Sequence, residues 1–254
     1  MTDERAALAR RILPLIDLTN LEDDCTEADV RALAAKAETA HGNVAALCVS
    51  PRFADLVSDL LSGSGVGVAC VVNFPGGDDP LDDVAALTRR TVALGASEID
   101  TVIPYRAFLA GDEAAVTRHV QAVSEACGDA RLKVILETGE LGAEERVRRA
   151  SRLAIDAGAD FIKTSTGKVT VNATPDAARW MLEELHKSGR TDVGFKPAGG
   201  IRTVEDAGAY LNLADEIMGA DWAQRSTFRF GASSLLGNVL AALGDAESDD
   251  STGY

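Results

Sequence analysis

Eight short apolar runs, separated by amphipathic stretches, constrain the fold of this chain more than any other feature. The runs are LPLIDLT (13–19), VAALCVS (44–50), VGVACVVN (66–73), EIDTVIP (98–104), LKVILET (132–138), DFIKTST (160–166), DVGFKPA (192–198) and FRFGAS (228–233). Each has the length of a strand, and the segments between them carry helical periodicity. TEADVRALAAKAETA opens on Thr26 with Asp29 three residues later, close to a capping box. DDVAALTRRTVALG runs to Gly95, a residue suited to a C-cap. AEERVRRASRLAIDAGAD, TPDAARWMLEELHKSG, TVEDAGAYLNLADEIMG and SSLLGNVLAALG follow the same pattern. Eight strands alternating with helices in 254 residues is the count of a (β/α)8 TIM barrel, an α/β fold. A doubly wound sheet, the competing arrangement, usually carries a glycine fingerprint after its first strand, and IDLTNLED has none. The sequence therefore predicts a single barrel domain over 1–254, with a short N-terminal helix and a flexible acidic tail from about 244 onward.

The formal net charge is −15. An acidic surface lacks the basic patches by which proteins hold nucleic acid, and it has no attraction for anionic membranes. An anionic substrate would need its positive charge supplied locally. Cys25, Cys48, Cys70 and Cys127 form no CxxC pair, and MTDERAALARR lacks the apolar core of a signal peptide, so a reduced, cytoplasmic location is expected. The longest apolar run, VGVACVV, is too short to span a bilayer. His41, His119 and His186 fall in helix-like, polar surroundings without ligand spacing, so no metal site is expected.

Parity along the strands sharpens the reading. Barrel strands point alternate residues inward. Asp17 shares a face with Leu15 and Thr19, Asp100 with Glu98, Lys133 with Glu137, and Lys163 with Phe161 and Ser165. The opposite faces are apolar and suit packing under helices. Asp17, Asp100, Lys133, Glu137 and Lys163 are thereby directed into the barrel, where ordinary cores are Val, Ile and Leu. Buried charges cost several kcal/mol each unless paired, so an ionic network is expected. A structural ion-pair core is one reading. The position of several of these charges toward the C-terminal strand ends, where barrel active sites lie, favours a functional one.

A lysine at a strand end can form a Schiff base with a carbonyl if it is neutral, which requires its pKa to fall from about 10.4. Desolvation and a second cation both lower it. Lys163 and Lys196 occupy similar places on strands six and seven, so one can be the nucleophile and the other that cation. Glycine-bearing loops follow: TSTGK supplies Gly167 and Lys168, KPAGG supplies Gly199 and Gly200, and GASS supplies Ser233 and Ser234. Loops after the last strands of a barrel often hold phosphate, and the two serines open the last helix, where they can cap it and face an anion. TSTGK is not a Walker A loop, because Ile162 stands where its first glycine would be and Val169 follows the lysine. The residues alone thus indicate a metal-free, cofactor-free Schiff-base enzyme acting on a small phosphorylated carbonyl compound.

FIKTSTGKVTVNAT, VGFKPAGGIRT, LKVILETGEL, RFGASSLL and EIDTVIPYRAFLAGD closely resemble the 2-deoxyribose-5-phosphate aldolase family, over nearly the whole chain. The resemblance implies a (β/α)8 barrel that reversibly cleaves 2-deoxy-D-ribose 5-phosphate to acetaldehyde and D-glyceraldehyde 3-phosphate without metal, in deoxyribose catabolism. It implies that Lys163 forms the Schiff base, that Lys196 tunes it, and that Asp100 relays protons with Lys196 and a water. Gly167, Lys168, Gly199, Gly200, Ser233 and Ser234 match phosphate-holding positions; Asp17 and Cys48 match pocket-lining ones. A pocket-lining Cys48 could add, as thiolate, to unsaturated aldehydes. Tyr254 matches a tyrosine that reaches back to the site from the tail in relatives. Asn20 departs from the threonine common there. The expected partners are a phosphorylated sugar and acetaldehyde, with a homodimer compatible but not read from sequence. A metal-dependent aldolase or isomerase on the same barrel, and a non-catalytic phosphosugar-binding barrel, are the alternative readings.

Overall fold

The computed structural model describes residues 2–244; the acidic tail and Tyr254 lie outside the described residues. All eight expected strands form, each shorter than its apolar run: β1 (Ile16–Thr19), β2 (Ala46–Val49), β3 (Gly67–Val72), β4 (Glu98–Val102), β5 (Arg131–Ile135), β6 (Phe161–Lys163), β7 (Gly194–Lys196) and β8 (Phe230–Ala232). They pair in parallel in the order β8-β1-β2-β3-β4-β5-β6-β7. Parallel bridges Phe195–Phe228 and Ala198–Gly231 join the two ends, so the sheet closes on itself. This is the (β/α)8 barrel that the alternation predicts.

The crossovers carry α2 (Glu27–Ala35), α3 (Ala54–Leu60), α4 (Leu81–Ala93), α5 (Tyr105–Leu109), α6 (Glu113–Cys127), α7 (Thr138–Leu141), α8 (Glu144–Asp156), α9 (Pro175–Ser188) and α10 (Val204–Met218). A first helix, α1 (Thr2–Ile12), packs on α10 and on the last helix, α11 (Leu235–Leu243). The Thr26–Asp29 capping box is complete. Two boundaries differ from the sequence reading. Leu13–Leu15 is a 3-10 turn, not strand, because Pro14 has no N–H to give a ladder. The helix from Thr26 stops at Ala35. A ribbon of Glu38–Thr39 and Gly42–Asn43 follows, turned by Gly42 at φ 119° and by the Thr39 hydroxyl donating to the Gly42 carbonyl. Among the described residues no helix is long and apolar enough to cross a membrane.

Two apolar clusters hold the barrel. Outward strand residues such as Leu47, Ile99, Val134, Ile162 and Phe195 pack under the helices. Each contributes about 1.5–3 kcal/mol by full burial. A small inner cluster of Ala46, Cys48, Ala69 and Val71 fills the β2–β3 side of the lumen, capped by Leu21 and Phe74. Charged side chains occupy the rest of the lumen, with the Phe161 ring beside the Arg229 guanidinium.

His119 corrects the expectation of a polar setting. It is buried on the inner face of α6 beside Val116, Val120 and Val123, with Nε2 2.9 Å from the Thr101 hydroxyl. Burial lowers its pKa from 6.5 to about 4. The folded state therefore binds fewer protons than the unfolded chain in that window, and stability is lost as pH falls from 6.5 toward about 4. The contribution is at most roughly 3 kcal/mol. His119→Gln keeps a polar partner for Thr101 but cannot titrate. Its urea midpoint should change less between neutral pH and about pH 4.5 than the parent's; equal changes in both would show that His119 does not carry the acid lability.

Candidate active site

Seven ionisable side chains meet inside the barrel, all buried: the carboxylates of Asp17, Glu98 and Asp100, and the cations Lys133, Lys163, Lys196 and Arg229. The register brings them together. Lys163 stands opposite Lys196 across β6 and β7, and Asp100 opposite Lys133 across β4 and β5. Lys163 Nζ donates to Asp100 Oδ2 at 2.7 Å, and Lys196 Nζ donates to the same oxygen at 2.8 Å. Lys196 also reaches Asp17 Oδ2 at 2.5 Å. Lys133 Nζ lies 2.9 Å from Asp100 Oδ1 and 2.5 Å from Glu98 Oε2. Arg229 Nη1 donates to Asp17 Oδ1 at 2.6 Å, and Nη2 to Glu98 Oε1 at 2.7 Å. Gly231 leaves space for this packing, since a Cβ there would lie 2.8 Å from the Ala198 Cβ and 3.1 Å from Lys196 Cε.

The charges do not balance if every group is ionised: three carboxylates face four cations. Burial lowers the pKa of Lys163; Asp100 opposes this, and the Lys196 ammonium reinforces it. An ion pair normally raises its lysine. Here burial outweighs the raising effect of Asp100, whose Oδ2 also accepts from Lys196, and the Lys196 charge adds to the lowering. Lys196 goes the other way: burial disfavours its charge, but Asp100 and Asp17 hold its pKa above the ordinary value. Lys133 is likewise raised, against burial, by Asp100, Asp17 and Glu98. Burial would raise Asp100, yet Lys133, Lys163 and Lys196 hold it well below the carboxylate range. Lys163 is thus the lysine of the cluster that most readily gives up its proton, and its loss leaves three charges of each sign.

A cavity of about 550 Å³ opens over this cluster at the C-terminal ends of the strands, with Lys163 at its base. Gly167, Lys168, Gly199, Gly200, Ser233 and Ser234 all line it, as the sequence reading expects. Ser234 stands at the N-cap of α11 but its side chain makes no capping bond, contrary to that reading. Lys168 Nζ lies 3.4 Å from Glu22 Oε2, and Lys36 and Arg202 add positive charge to the wall. The TSTGK loop is fixed from behind. Glu137, fully buried and left-handed at φ 58°, accepts from Thr166 N at 3.2 Å and Thr166 Oγ1 at 2.6 Å. Thr166 Oγ1 in turn accepts from Lys168 N at 3.0 Å. Such strained, over-determined backbone clusters at functional sites.

Asp17 and Cys48 are corrections. Neither lines the cavity; both are wholly buried below it, as are Asp100 and Lys196, which bear on it through Lys163. Leu21 and Phe74 cover the apolar cluster that holds Cys48. Burial, then Asp100, raises the Cys48 pKa, so an exposed thiolate is not what this position offers. Arg229 is the group that the sequence reading did not select, and Glu98 appeared there only as a companion of Asp100. FRFGAS held the signal: Phe228 and Phe230 share the outward face, which leaves Arg229 pointing in.

The fold and site together define a (β/α)8-barrel enzyme with a lysine at the base of its cavity. The chain belongs to the DeoC/LacD family of aldolases, whose model matches residues 11–238. It is similar to a solved structure from Coccidioides immitis described as "a putative deoxyribose-phosphate aldolase", with 30% identity over 90% of this chain and 85% of that one, at a TM-score of 0.79. A Toxoplasma gondii ME49 structure described in the same words matches at 26% identity over 95% and 97% of the two chains, with a TM-score of 0.88. A tetrameric deoxyribose phosphate aldolase from Aeropyrum pernix matches at 29% identity over 94% and 90%, with a TM-score of 0.73.

Proposed function

We propose that the chain reversibly cleaves 2-deoxy-D-ribose 5-phosphate to acetaldehyde and D-glyceraldehyde 3-phosphate through a Schiff base on Lys163. The observation that carries this reading is the charge count: a buried cluster with one cation in excess, and the lysine with the lowered pKa facing the cavity. Neutral Lys163 attacks the aldehyde carbon C1 of the open-chain sugar. The carbinolamine loses water to give an iminium, which acts as an electron sink. Removal of the C3 hydroxyl proton then breaks the C2–C3 bond, and glyceraldehyde 3-phosphate leaves. The remaining enamine is protonated at C2 and hydrolysed to acetaldehyde. Asp100, which accepts from Lys163, and Lys196, which donates to the same Asp100 oxygen, move these protons with a water. Lys168 and the Gly167, Gly199, Gly200, Ser233 and Ser234 loops hold the phosphate on charge and backbone N–H groups.

Borohydride reduction in the presence of acetaldehyde tests the reading. Peptide mass spectrometry should find a two-carbon adduct on Lys163. An adduct on Lys196 instead would reverse the two roles, and turnover abolished by a chelator, with no adduct, would favour a metal-dependent aldolase.

A further inference from the structure

A second cavity, of about 530 Å³, opens at the opposite, N-terminal mouth of the barrel. It is lined by Ser97, Arg131, Gln224, Arg225, Ser226 and, at its floor, Arg229, with Glu98 and Asp129 as its carboxylates. Three cations thus face two anions there, on a chain whose net charge is −15. Glu98 pairs with Arg131 and Arg229, and Arg229 is further held by Asp17, so among the described residues Arg225 is the guanidinium of this mouth that bonds carbonyls and no carboxylate.

The two outer guanidinium groups are held in place. Arg225 Nη2 donates to the carbonyls of Ala45 and Gly65. Arg131 Nη1 donates to Glu98 Oε1 at 3.1 Å, and its guanidinium lies 5.6 Å from the Phe161 ring centroid. Among the described residues, Nε and Nη1 of Arg225 and Nε and Nη2 of Arg131 have no hydrogen-bond partner. Burial, and then the Arg229 charge, lower the Arg225 pKa against the opposing pull of Glu98 and Asp17. Fixed guanidinium groups with spare N–H donors match the geometry of a phosphoryl group better than mobile lysines would.

We propose that this basal cavity binds a phosphoryl-type oxyanion between Arg131 and Arg225, above Arg229. The site lies apart from the catalytic cavity but is tied to it, because Arg229 Nε donates to the Arg225 carbonyl at 2.6 Å while Nη1 holds Asp17.

The test is a titration of the full chain with inorganic phosphate, followed through the arginine Nε–H and nearby backbone resonances in ¹H–¹⁵N spectra. Saturable shifts are expected at Arg131, Arg225 and Ser226. Ser226 is exposed and outside the catalytic groups. Ser226→Asp adds a negative charge at the rim without touching the backbone contacts of Arg225, and should weaken phosphate at these resonances by about tenfold or more. Arg225→Gln should do the same, with Ser226→Asp deciding if that variant fails to fold. Glycerol 3-phosphate run in parallel assigns the source: tighter shifts with the ester indicate a phosphorylated metabolite, tighter shifts with the free ion indicate phosphate itself. Absence of saturable shifts in the parent, or identical shifts in Ser226→Asp, overturns the proposal.

Discussion

Lys163→Leu is expected to lower deoxyribose phosphate cleavage by at least about 10⁴-fold while leaving the barrel as stable as the parent. The two halves of this result come from one arrangement. The lysine is the nucleophile of the proposed route, so its removal leaves no amine at the cavity base to form the iminium. Removing a buried charge usually destabilises, because a partner is left unpaired. Lys163 is the exception in this cluster. Without it Asp100 still has Lys133 at 2.9 Å and Lys196 at 2.8 Å. Three carboxylates then face three cations, and the leucine adds apolar contact where an ammonium stood. The measurements are steady-state cleavage and thermal unfolding of the same preparation. Activity within tenfold of the parent would remove Lys163 from the mechanism. A large loss of stability together with activity would make it a structural ion.

Period-two alternation made most of this cluster legible. It placed Asp17, Asp100, Lys133 and Lys163 inward, and all four are buried in the cluster; Glu137, read the same way, lies beyond the end of β5 in left-handed backbone and is buried against Thr166 instead. Alternation states which way a side chain points but not how deep it lies. That is why Cys48 points into the lumen, as its strand requires, yet sits beneath the cavity under Leu21 and Phe74. Pairing was out of reach for a related reason. Arg229 bonds Asp17 and Glu98, which lie 212 and 131 residues away in sequence, and only the closing register of β8 against β1 brings them together. His119 was the opposite case. Its spacing from Val116, Val120 and Val123 already marks one helix face, but a histidine among polar neighbours reads as surface until the sheet beneath it is present. The early stop at Ala35 was hidden because TEADVRALAAKAETA keeps helix-forming residues beyond the point where the ribbon begins.

Lys196→Leu should fail differently. Cleavage near neutral pH is expected to fall by about 10²–10⁴-fold, and part of that loss should return as the pH is raised to about 9 or above. Lys196 shares Asp100 Oδ2 with Lys163 and also binds Asp17. Taking its ammonium away removes the second cation that depresses the Lys163 pKa, and it frees more of the Asp100 charge to act on Lys163. Both changes raise that pKa. The charge count gives the same sign: with Lys196 gone, Asp17, Glu98 and Asp100 are balanced by Lys133, Arg229 and Lys163 only if Lys163 keeps its proton. A protonated lysine cannot attack a carbonyl, and each unit by which its pKa rises costs tenfold in reactive amine, about 1.36 kcal/mol. Raising the pH restores the neutral form, so the limb of the pH–rate profile moves to higher pH relative to the parent. Proton relay through Lys196 is not restored, which leaves the recovery partial. A pH–rate profile of the variant beside the parent is the measurement. Loss by the same factor at every pH would mean that Lys196 acts by relay or packing alone, and near-full activity at neutral pH would show that Lys196 does not hold Lys163 in its neutral form.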